Sequence, residues 1–154
     1  MILVSACLAG VNCRYNGGSS EDKLIAELVR QGKAIPVCPE LLGGLSVPRP
    51  SCELVRDPEK SHLRVLSRDG RDFTAEFTKG AKKALAVAKA LGCEKAILKS
   101  RSPSCGCGLV YDGTFSGKLV SGNGLAADLL ASHGIKVFSE NDFHQQNQPL
   151  QEEI

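Results

Sequence analysis

Four of the seven cysteines in this chain occur at or just beyond the ends of predicted strands. Cys7 lies in the segment SACL, Cys13 in CRY, Cys38 in VCPE and Cys105 in SPSCG. Because parallel α/β sheets bind ligands beyond the carboxyl ends of their strands, thiols that are far apart in sequence can meet there. A group of thiolates selects zinc, copper(I) or an iron–sulfur cluster over hard, oxygen-preferring ions. The pattern therefore predicts a soft-metal site.

The remaining cysteines carry weaker signals. Cys93 falls at a helix-to-strand connection, away from the other loops, and is interpreted as a small core residue. Cys107 forms a CxC pair with Cys105, and Cys52 lies in a proline-rich segment, so both are kept as alternatives. No CxxC pair is present, which argues against a structural zinc ribbon. Three dispersed thiolates suit a four-iron cluster with one open iron, whereas Cys13 as a fourth ligand would close that cluster.

The elements that must position these cysteines alternate between apolar strand-like runs and helical patterns. Strands are predicted at Ile2 to Ala6, Ala34 to Val37, Lys95 to Leu98 and Lys136 to Phe138. Helices are predicted from Ser20 to about Gln31, from a cap at Asp72 through Leu91, and from a cap at Asn123 through Leu130. This alternation predicts a three-layer α/β fold with a short, mostly parallel sheet and a site at the carboxyl ends of its strands.

Two hairpin insertions are predicted outside this sheet. The segment HLRVLSRDGRDF alternates apolar and polar residues around Asp69 and Gly70, which predicts a small antiparallel flap. The segment YDGTFSGKLVSG has turn residues that predict a second hairpin. Between Gly43 and Arg56, prolines and glycines predict a long loop without regular structure.

Length and composition place limits on the class of protein. The chain has 154 residues, 42% hydrophobic and 23% charged, which fits one domain over residues 1–141 followed by a polar tail over 142–154. The net charge of +2 is spread along the chain and gives no argument for a nucleic-acid partner. No segment is long enough to span a bilayer, and the first residues do not resemble a signal peptide. Seven cysteines without a disulfide pattern favour a cytoplasmic location.

Four motifs together resemble one known family. The segments SACLAGVNCRYNG, VCPELLGGLSVPRP, LKSRSPSCG and YDGTFSGKLVSGNG look like those of the bacterial thiouracil desulfidases, in the same order. The resemblance covers nearly the whole chain, from Ser5 to Glu140. It is specific to the family but less specific to the substrate.

This resemblance implies a [4Fe-4S] cluster held by three cysteines, whose fourth iron binds the sulfur removed from a small thiolated base without net redox change. The ligands carried over are Cys7, Cys38 and Cys105, with Cys13 as a competitor for the first place. Whether Cys13 replaces Cys7 or adds a fourth ligand stays open.

The resemblance also implies a catalytic glutamate and a catalytic serine near the open iron. Glu40 of VCPE matches the glutamate, and Ser102 of SPSCG is chosen for the serine, with Ser100 and Ser104 as neighbouring alternatives. Glu40 would act as a general base on water if burial beside the cluster raised its pKa toward neutrality. Its alternative roles are a carboxylate at a helix start or an ion-pair partner of Arg14 or Arg49, and the alternative for Ser102 is a turn.

Other residues in the same loops offer contacts to a planar polar substrate. They provide hydrogen-bond donors and one aromatic face, and are Arg14, Tyr15, Arg49 and Arg101. Two other functions remain open: a cluster-containing sensing module closed by Cys13, and a zinc hydrolase or deaminase with Glu40 as base.

Overall fold

A four-stranded parallel sheet forms the centre of the computed structural model, which describes residues 1–57, 59 and 62–147. Its strands are β1 (Ile2–Ser5), β2 (Ala34–Val37), β5 (Lys95–Leu98) and β8 (Lys136–Ser139), in the order β2-β1-β5-β8. Every neighbouring pair in this sheet is parallel. The predicted strands and the predicted parallel arrangement are confirmed.

Helices cover both faces of this sheet. They are α1 (Lys23–Arg30), α2 (Pro39–Leu42), α3 (Thr74–Ala90), α4 (Leu125–Ser132) and α5 (Glu140–Gln146), with a 3-10 helix at Ala6–Ala9. On one face Leu3 and Leu98 pack with residues of α3 and α4, and on the other face Val4 packs with Ile25 of α1 and with Phe143 of α5. Since side chains alternate along a strand, neighbouring residues of β1 serve opposite cores. The fold is therefore three-layered, as predicted.

The order of strands places a change of direction between β1 and β5. The chain moves from β1 outward to β2, and then returns to the other side of β1 for β5 and β8. At such a point the connections leave the two strands in opposite directions, which opens a crevice beyond their carboxyl ends. The loop at Cys7 follows β1, and the loop at Cys105 follows β5.

Two antiparallel hairpins lie outside the sheet, one of which forms differently from the prediction. The pairing of β6 (Leu109–Tyr111) with β7 (Leu119–Ser121) confirms the second hairpin. In the first, β4 (Leu63–Ser67) pairs with the preceding β3 (Cys52–Arg56), not across the turn at Gly70.

The reason for this difference lies on both sides of β4. The turn does form, but only an isolated bridge from Leu66 to Asp72 follows it before α3 begins. The Asp72 carboxylate accepts a hydrogen bond from the Thr74 amide at 2.8 Å, which starts the helix and leaves no length for a strand. The prediction of an irregular loop to Arg56 is therefore wrong from Cys52 onward.

The predicted polar tail also needs correction. Residues 140–146 form α5, which begins with a capping box in which Ser139 and Asp142 exchange side-chain and backbone hydrogen bonds. Phe143 gives this polar helix its anchor in the core. Residues 142–146 of the segment predicted as a tail are thus helical, and residues 148–154 lie outside the described part of the chain.

Both predicted helix caps lie one residue too early, since Phe73 and not Asp72 is the residue before α3. Gly124, not Asn123, is the residue before α4. The Asn123 side chain accepts a hydrogen bond from the Gly108 amide at 2.8 Å, which ties the two ends of the β6–β7 insertion together. Within the described residues, no helix is both long and apolar enough to cross a membrane.

Two glycines allow α2 to lie directly against α3. A Cβ atom at Gly80 would lie 1.8 Å from the Pro39 carbonyl oxygen, and one at Gly43 would lie 2.0 Å from the Glu76 carbonyl oxygen. No real Cβ contact is that short, so any larger residue must move one helix. Because α2 begins directly after Cys38 and carries Glu40, this backbone contact sets the position of both.

We expect Gly80→Ala to lower the free energy of unfolding by about 1–3 kcal/mol, the usual cost of overpacking. In an ordinary helix the same change would stabilise by about 1 kcal/mol, so the sign of the effect tests the contact. Thr78→Ala, at an exposed position of the same helix, is the control and should be near neutral. Urea denaturation measures both, and a Gly80→Ala protein as stable as wild type would contradict the close contact.

Candidate functional site

The carboxyl ends of the parallel strands open into one cavity of about 380 Å³. This volume is at the lower end of the range for small-molecule sites, roughly 300–1,000 Å³. Five cysteines line the cavity, together with Glu40, Arg49, Lys99 and Ser102. The cysteines are Cys7, Cys13, Cys38, Cys52 and Cys105. The structure therefore brings together all four cysteines that the sequence places at strand ends.

Cys7 lies in the 3-10 helix that follows β1 and is buried. Its position is fixed by the turn at Gly10, whose φ of +93° is a left-handed conformation that glycine adopts without strain. Burial raises the pKa of Cys7 to about 11, although the nearby Lys99 ammonium acts in the opposite direction. In the absence of a metal, Cys7 is therefore a neutral thiol.

Cys38 is the cysteine whose surroundings favour the thiolate. It is the residue before α2, with Pro39 at the first helical position. A hydrogen bond from the Cys13 thiol is the main cause that lowers the pKa of Cys38 to about 7, and the Leu41 amide adds to it, while burial opposes it. Helix starts and hydrogen-bond donors are the usual means of activating a cysteine.

Cys13 lies beside Cys38 and is more deeply buried than the other three strand-end cysteines. Its pKa is raised, first because its thiol donates to Cys38 and second because it is buried. The Cys38 sulfur also lies 4.0 Å from the Cys13 carbonyl oxygen. Cys7 and Cys13 both line the cavity. The structure is therefore compatible with Cys13 as a replacement for Cys7 and with Cys13 as a fourth ligand.

Cys105 is held by hydroxyl groups on the loop after β5. The Ser104 hydroxyl donates to the Cys105 sulfur at 3.6 Å. Burial raises the pKa of Cys105 to about 12, even though Ser5 and Ser104 act as donors that lower it. The loop itself is anchored by the first turn of α4, whose Leu125 and Ala126 amides donate to carbonyl groups of the loop at 2.9 Å each.

Of the three remaining cysteines, Cys52 lines the cavity, whereas Cys93 and Cys107 do not. Cys52, on β3, lines the cavity, and burial raises its pKa to about 11. Cys107 does not line the cavity, and its thiol lies 3.6 Å from the Val137 carbonyl oxygen. Cys93 is buried in the core that α3 forms with the sheet, in agreement with its predicted role.

Glu40 forms an ion pair with Arg49 through its Oε2 atom. The Arg49 side chain is only 4% exposed, and it also donates to the Cys13 carbonyl oxygen at 2.8 Å and to the Ser46 carbonyl oxygen at 3.2 Å. Both alternative roles suggested by the sequence therefore describe Glu40, which lies in the first turn of α2 and pairs with Arg49. Its Oε1 atom makes no hydrogen bond within the described residues, which leaves that oxygen for a water or substrate.

Ser102 has a structural role in the same loop. Its hydroxyl oxygen accepts hydrogen bonds from the Ser104 and Cys105 amides, both at 3.1 Å, and lies 3.0 Å from the Ser104 hydroxyl. This is the turn that the sequence offers as the alternative for Ser102. The hydroxyl proton remains free to donate into the cavity or to Ser104.

A third polar group in the site was not found by sequence reasoning. The Lys99 ammonium donates to Ser100 Oγ at 3.2 Å and to Glu140 Oε1 at 3.3 Å. The Ser100 hydroxyl and amide both donate to the Glu140 carboxylate, at 2.6 and 2.8 Å. Burial opposes ionisation of Glu140, but the bonds from Ser100 and the charge of Lys99 outweigh it, so its pKa is lowered.

The signal for this group was present in the sequence. Glu140 follows β8 directly, as Cys7 and Cys38 follow β1 and β2, and the strand-end rule that selected the cysteines applies to it equally. Ser5, the last residue of β1, was missed in the same way, although its hydroxyl accepts from the Lys99 amide at 2.9 Å.

Comparisons with known proteins agree with this geometry. Residues 2–142 match the family model described as 2-thiouracil desulfurase. A solved structure described as a [4Fe-4S]-dependent thiouracil desulfidase, TudS, superposes with a TM-score of 0.84 at 43% identity, over 94% of this chain and 93% of that one.

A curated relative matches this chain at a similar identity and over a similar share of its length. The uncharacterized protein YbbK of Bacillus subtilis (strain 168) is 45% identical over 148 residues, which cover 94% of this chain and 98% of the relative. The family match spans the parallel sheet and every cysteine that lines the cavity. The chain therefore belongs to the 2-thiouracil desulfurase family.

Proposed function

We propose that this protein hydrolyses the C–S bond of a small thiolated nucleobase such as 2-thiouracil, using a [4Fe-4S] cluster held by Cys7, Cys38 and Cys105. In the net reaction a water oxygen replaces sulfur on the ring carbon, and the sulfur leaves as hydrogen sulfide with both protons of the water. No electrons are gained or lost. The observation that carries the proposal is the convergence of strand-end thiols, a carboxylate and a lysine on one small cavity.

The donor set fits such a cluster. The strands that precede Cys38, Cys7 and Cys105 are neighbours in the sheet, and adjacent strands are about 4.8 Å apart. A four-iron cluster binds each thiolate at a different iron, so its ligands need to be spread apart. Among the described residues, no three Cys, His, Asp or Glu side chains form a group that could hold a single metal ion. A zinc site would require such a group, so the donor set favours the cluster.

When bound, a cluster with one open iron supplies a soft Lewis acid that polarises the thiocarbonyl group and accepts its sulfur. The protein contributes the water-activating group. Glu40 is the base that takes a proton from the attacking water through its Oε1 atom, while Arg49 holds the other oxygen in place. Ser102 orients the water or the substrate with its hydroxyl proton, in addition to supporting the loop of Cys105.

Anaerobic reconstitution with iron and sulfide, followed by measurement of sulfide release from 2-thiouracil, tests the proposal. We expect wild type to bind about four irons and to release sulfide. Cys38→Ala should lose the cluster, whereas Glu40→Gln should keep it and lose about 100-fold or more in rate, as expected for a general base. Glutamine still accepts the Arg49 hydrogen bond but leaves the Arg49 charge unpaired, so the cluster content and the circular dichroism of the variant are the controls for its fold. A Glu40→Gln enzyme with nearly wild-type activity would overturn the role of Glu40.

A second function, a sensing or electron-transfer module with a closed cluster, is favoured by the position of Cys13 beside Cys38. The desulfurase function needs Cys7, Cys38 and Cys105 for cluster binding. The sensing function needs Cys13 as a fourth ligand. We expect Cys7→Ala to abolish cluster binding and Cys13→Ala to retain a cluster with a normal absorption spectrum. If both variants lose the cluster and wild type releases no sulfide, the cluster has four thiolate ligands and the sensing function is correct.

The metal-free protein should show one thiol that ionises near neutral pH. Since the pKa of Cys38 is lowered from 9.0 to about 7, its thiolate is present above about pH 7 and is lost below it. Iodoacetamide should therefore modify Cys38 faster than the other cavity cysteines, with a midpoint near pH 7 measured by mass spectrometry. Cys13→Ala removes the main cause, and the midpoint should move toward 9.0. An unchanged midpoint in that variant would show that the hydrogen bond between the two thiols is not responsible.

A further inference from the structure

A lysine in the cavity has no role in the reaction as described so far. Lys99 is the first residue after β5, and its side chain lines the cavity together with the thiols and Glu40. The side chain is 24% exposed, and that of its partner Glu140 is 14% exposed. The charge of a partly buried cation interacts more strongly with a nearby ligand than a surface charge does, because less water surrounds it.

The position of Lys99 is fixed from several directions. Glu140 and Ser100 bind its ammonium at 3.3 and 3.2 Å, and its own amide donates to Ser5 at 2.9 Å. Ser100 is itself bound twice by the Glu140 carboxylate, so the acceptors of the ammonium cannot easily turn away. An ammonium has three donors, and these contacts use two of them. The third donor remains for a ligand in the cavity.

The other cations that line the cavity are less suited to bind a substrate. Arg49 uses three of its five N–H donors on Glu40 and on backbone carbonyl groups, and its charge is paired with the proposed base. Arg14 lies over the Tyr15 ring at 5.7 Å, and Arg101 is exposed. Among the described residues that line the cavity, Lys99 thus combines a fixed position, partial burial and an unused donor without being the partner of the proposed base.

We propose that Lys99 is a catalytic and specificity-determining residue, whose ammonium binds the carbonyl oxygen that the thiolated base keeps throughout the reaction. This inference rests on the proposed function. In the thiol tautomer of the base, the ring has a C2=N3 double bond. Addition of water to C2 then moves negative charge to N3, and the conjugated C4 carbonyl oxygen carries part of that charge. A fixed ammonium at this oxygen stabilises the charge in the transition state more than in the substrate. Glu140 and Ser100 are positioning residues for Lys99.

The proposal makes a prediction about substrates as well as variants. A hydrogen bond between a charged group and its partner is worth roughly 10- to 100-fold in binding or rate. We expect Lys99→Met to lower kcat/KM for 2-thiouracil by about this factor while the cluster content and absorption spectrum remain those of wild type. For pyrimidine-2-thiol, which lacks the carbonyl oxygen, the same substitution should change kcat/KM by less than about threefold. A loss confined to the substrate with the carbonyl identifies the contact.

A binding measurement that needs no turnover completes the test. Uracil, which keeps the same carbonyl oxygen, should bind the reconstituted Lys99→Met protein roughly 10-fold or more weakly than wild type by calorimetry, and Glu140→Gln should give a smaller loss in the same direction. Lys95→Met, at the other end of β5, is the matched control and should behave as wild type.

The outcomes separate the two proposals. If wild type releases no sulfide but uracil binding still depends on Lys99, the desulfurase function fails and the binding role stands. If Lys99→Met reduces activity equally on both thiolated substrates, or leaves uracil binding unchanged, Lys99 is not the carbonyl-binding residue and this inference is overturned.

Discussion

The contact between the Arg49 guanidinium and the Glu40 carboxylate is the interaction on which the cavity depends. Burying a cation that is only 4% exposed costs free energy unless the cation is paired and hydrogen-bonded. Arg49 meets that requirement with one carboxylate and two backbone carbonyls. One of those carbonyls belongs to Cys13, and the Arg49 amide donates to the Tyr15 carbonyl at 2.9 Å. Arg49 thereby holds together the segment of Cys13 and Tyr15, the start of α2 and its own proline-rich loop. The pairing of one buried charge thus stabilises this wall of the cavity.

The sheet determines where those segments can meet. Because β1 and β5 are adjacent and their connections leave in opposite directions, the crevice opens between the loops that carry Cys7 and Cys105. On one side of this pair β2 brings Cys38, and on the other β8 brings Glu140. The close approach of α2 to α3, and the anchoring of the Cys105 loop on the first turn of α4, then fix these side chains to rigid elements. A site built this way needs little adjustment when a ligand binds.

The sequence allowed the parallel sheet and the meeting of four cysteines to be predicted, because apolar strands and strand-end positions are local signals. It did not allow the partner of β4 to be predicted, since the turn at Gly70 is a strong local signal that Asp72 cancels by starting α3 two residues later. The pairing of Glu40 with Arg49 was one of the alternatives that the sequence offered, but the burial of Arg49 was not predictable, because it depends on how the proline-rich loop folds over the cavity. Glu140 followed the strand-end rule, but the polar residues after it suggested a tail, and only the contact of Phe143 with the core makes that segment a helix.

The two ion pairs near the cavity, Arg49–Glu40 and Lys99–Glu140, each join a cation to a glutamate. They differ in which group keeps an atom free for a ligand. Both terminal nitrogens of Arg49 donate to groups of the protein, so its contribution is to hold Glu40 with one oxygen free. Lys99 keeps one donor, and its carboxylate partner is satisfied mainly by Ser100. Since Glu40 follows β2 and Lys99 follows β5, the strands that lead to the anionic oxygen and to the cationic nitrogen lie on either side of β1, about two strand spacings or 10 Å apart along the sheet edge. A small planar base between them would meet an anionic oxygen toward one side and a cationic nitrogen toward the other, which is the arrangement that addition of water to a polarised ring carbon requires.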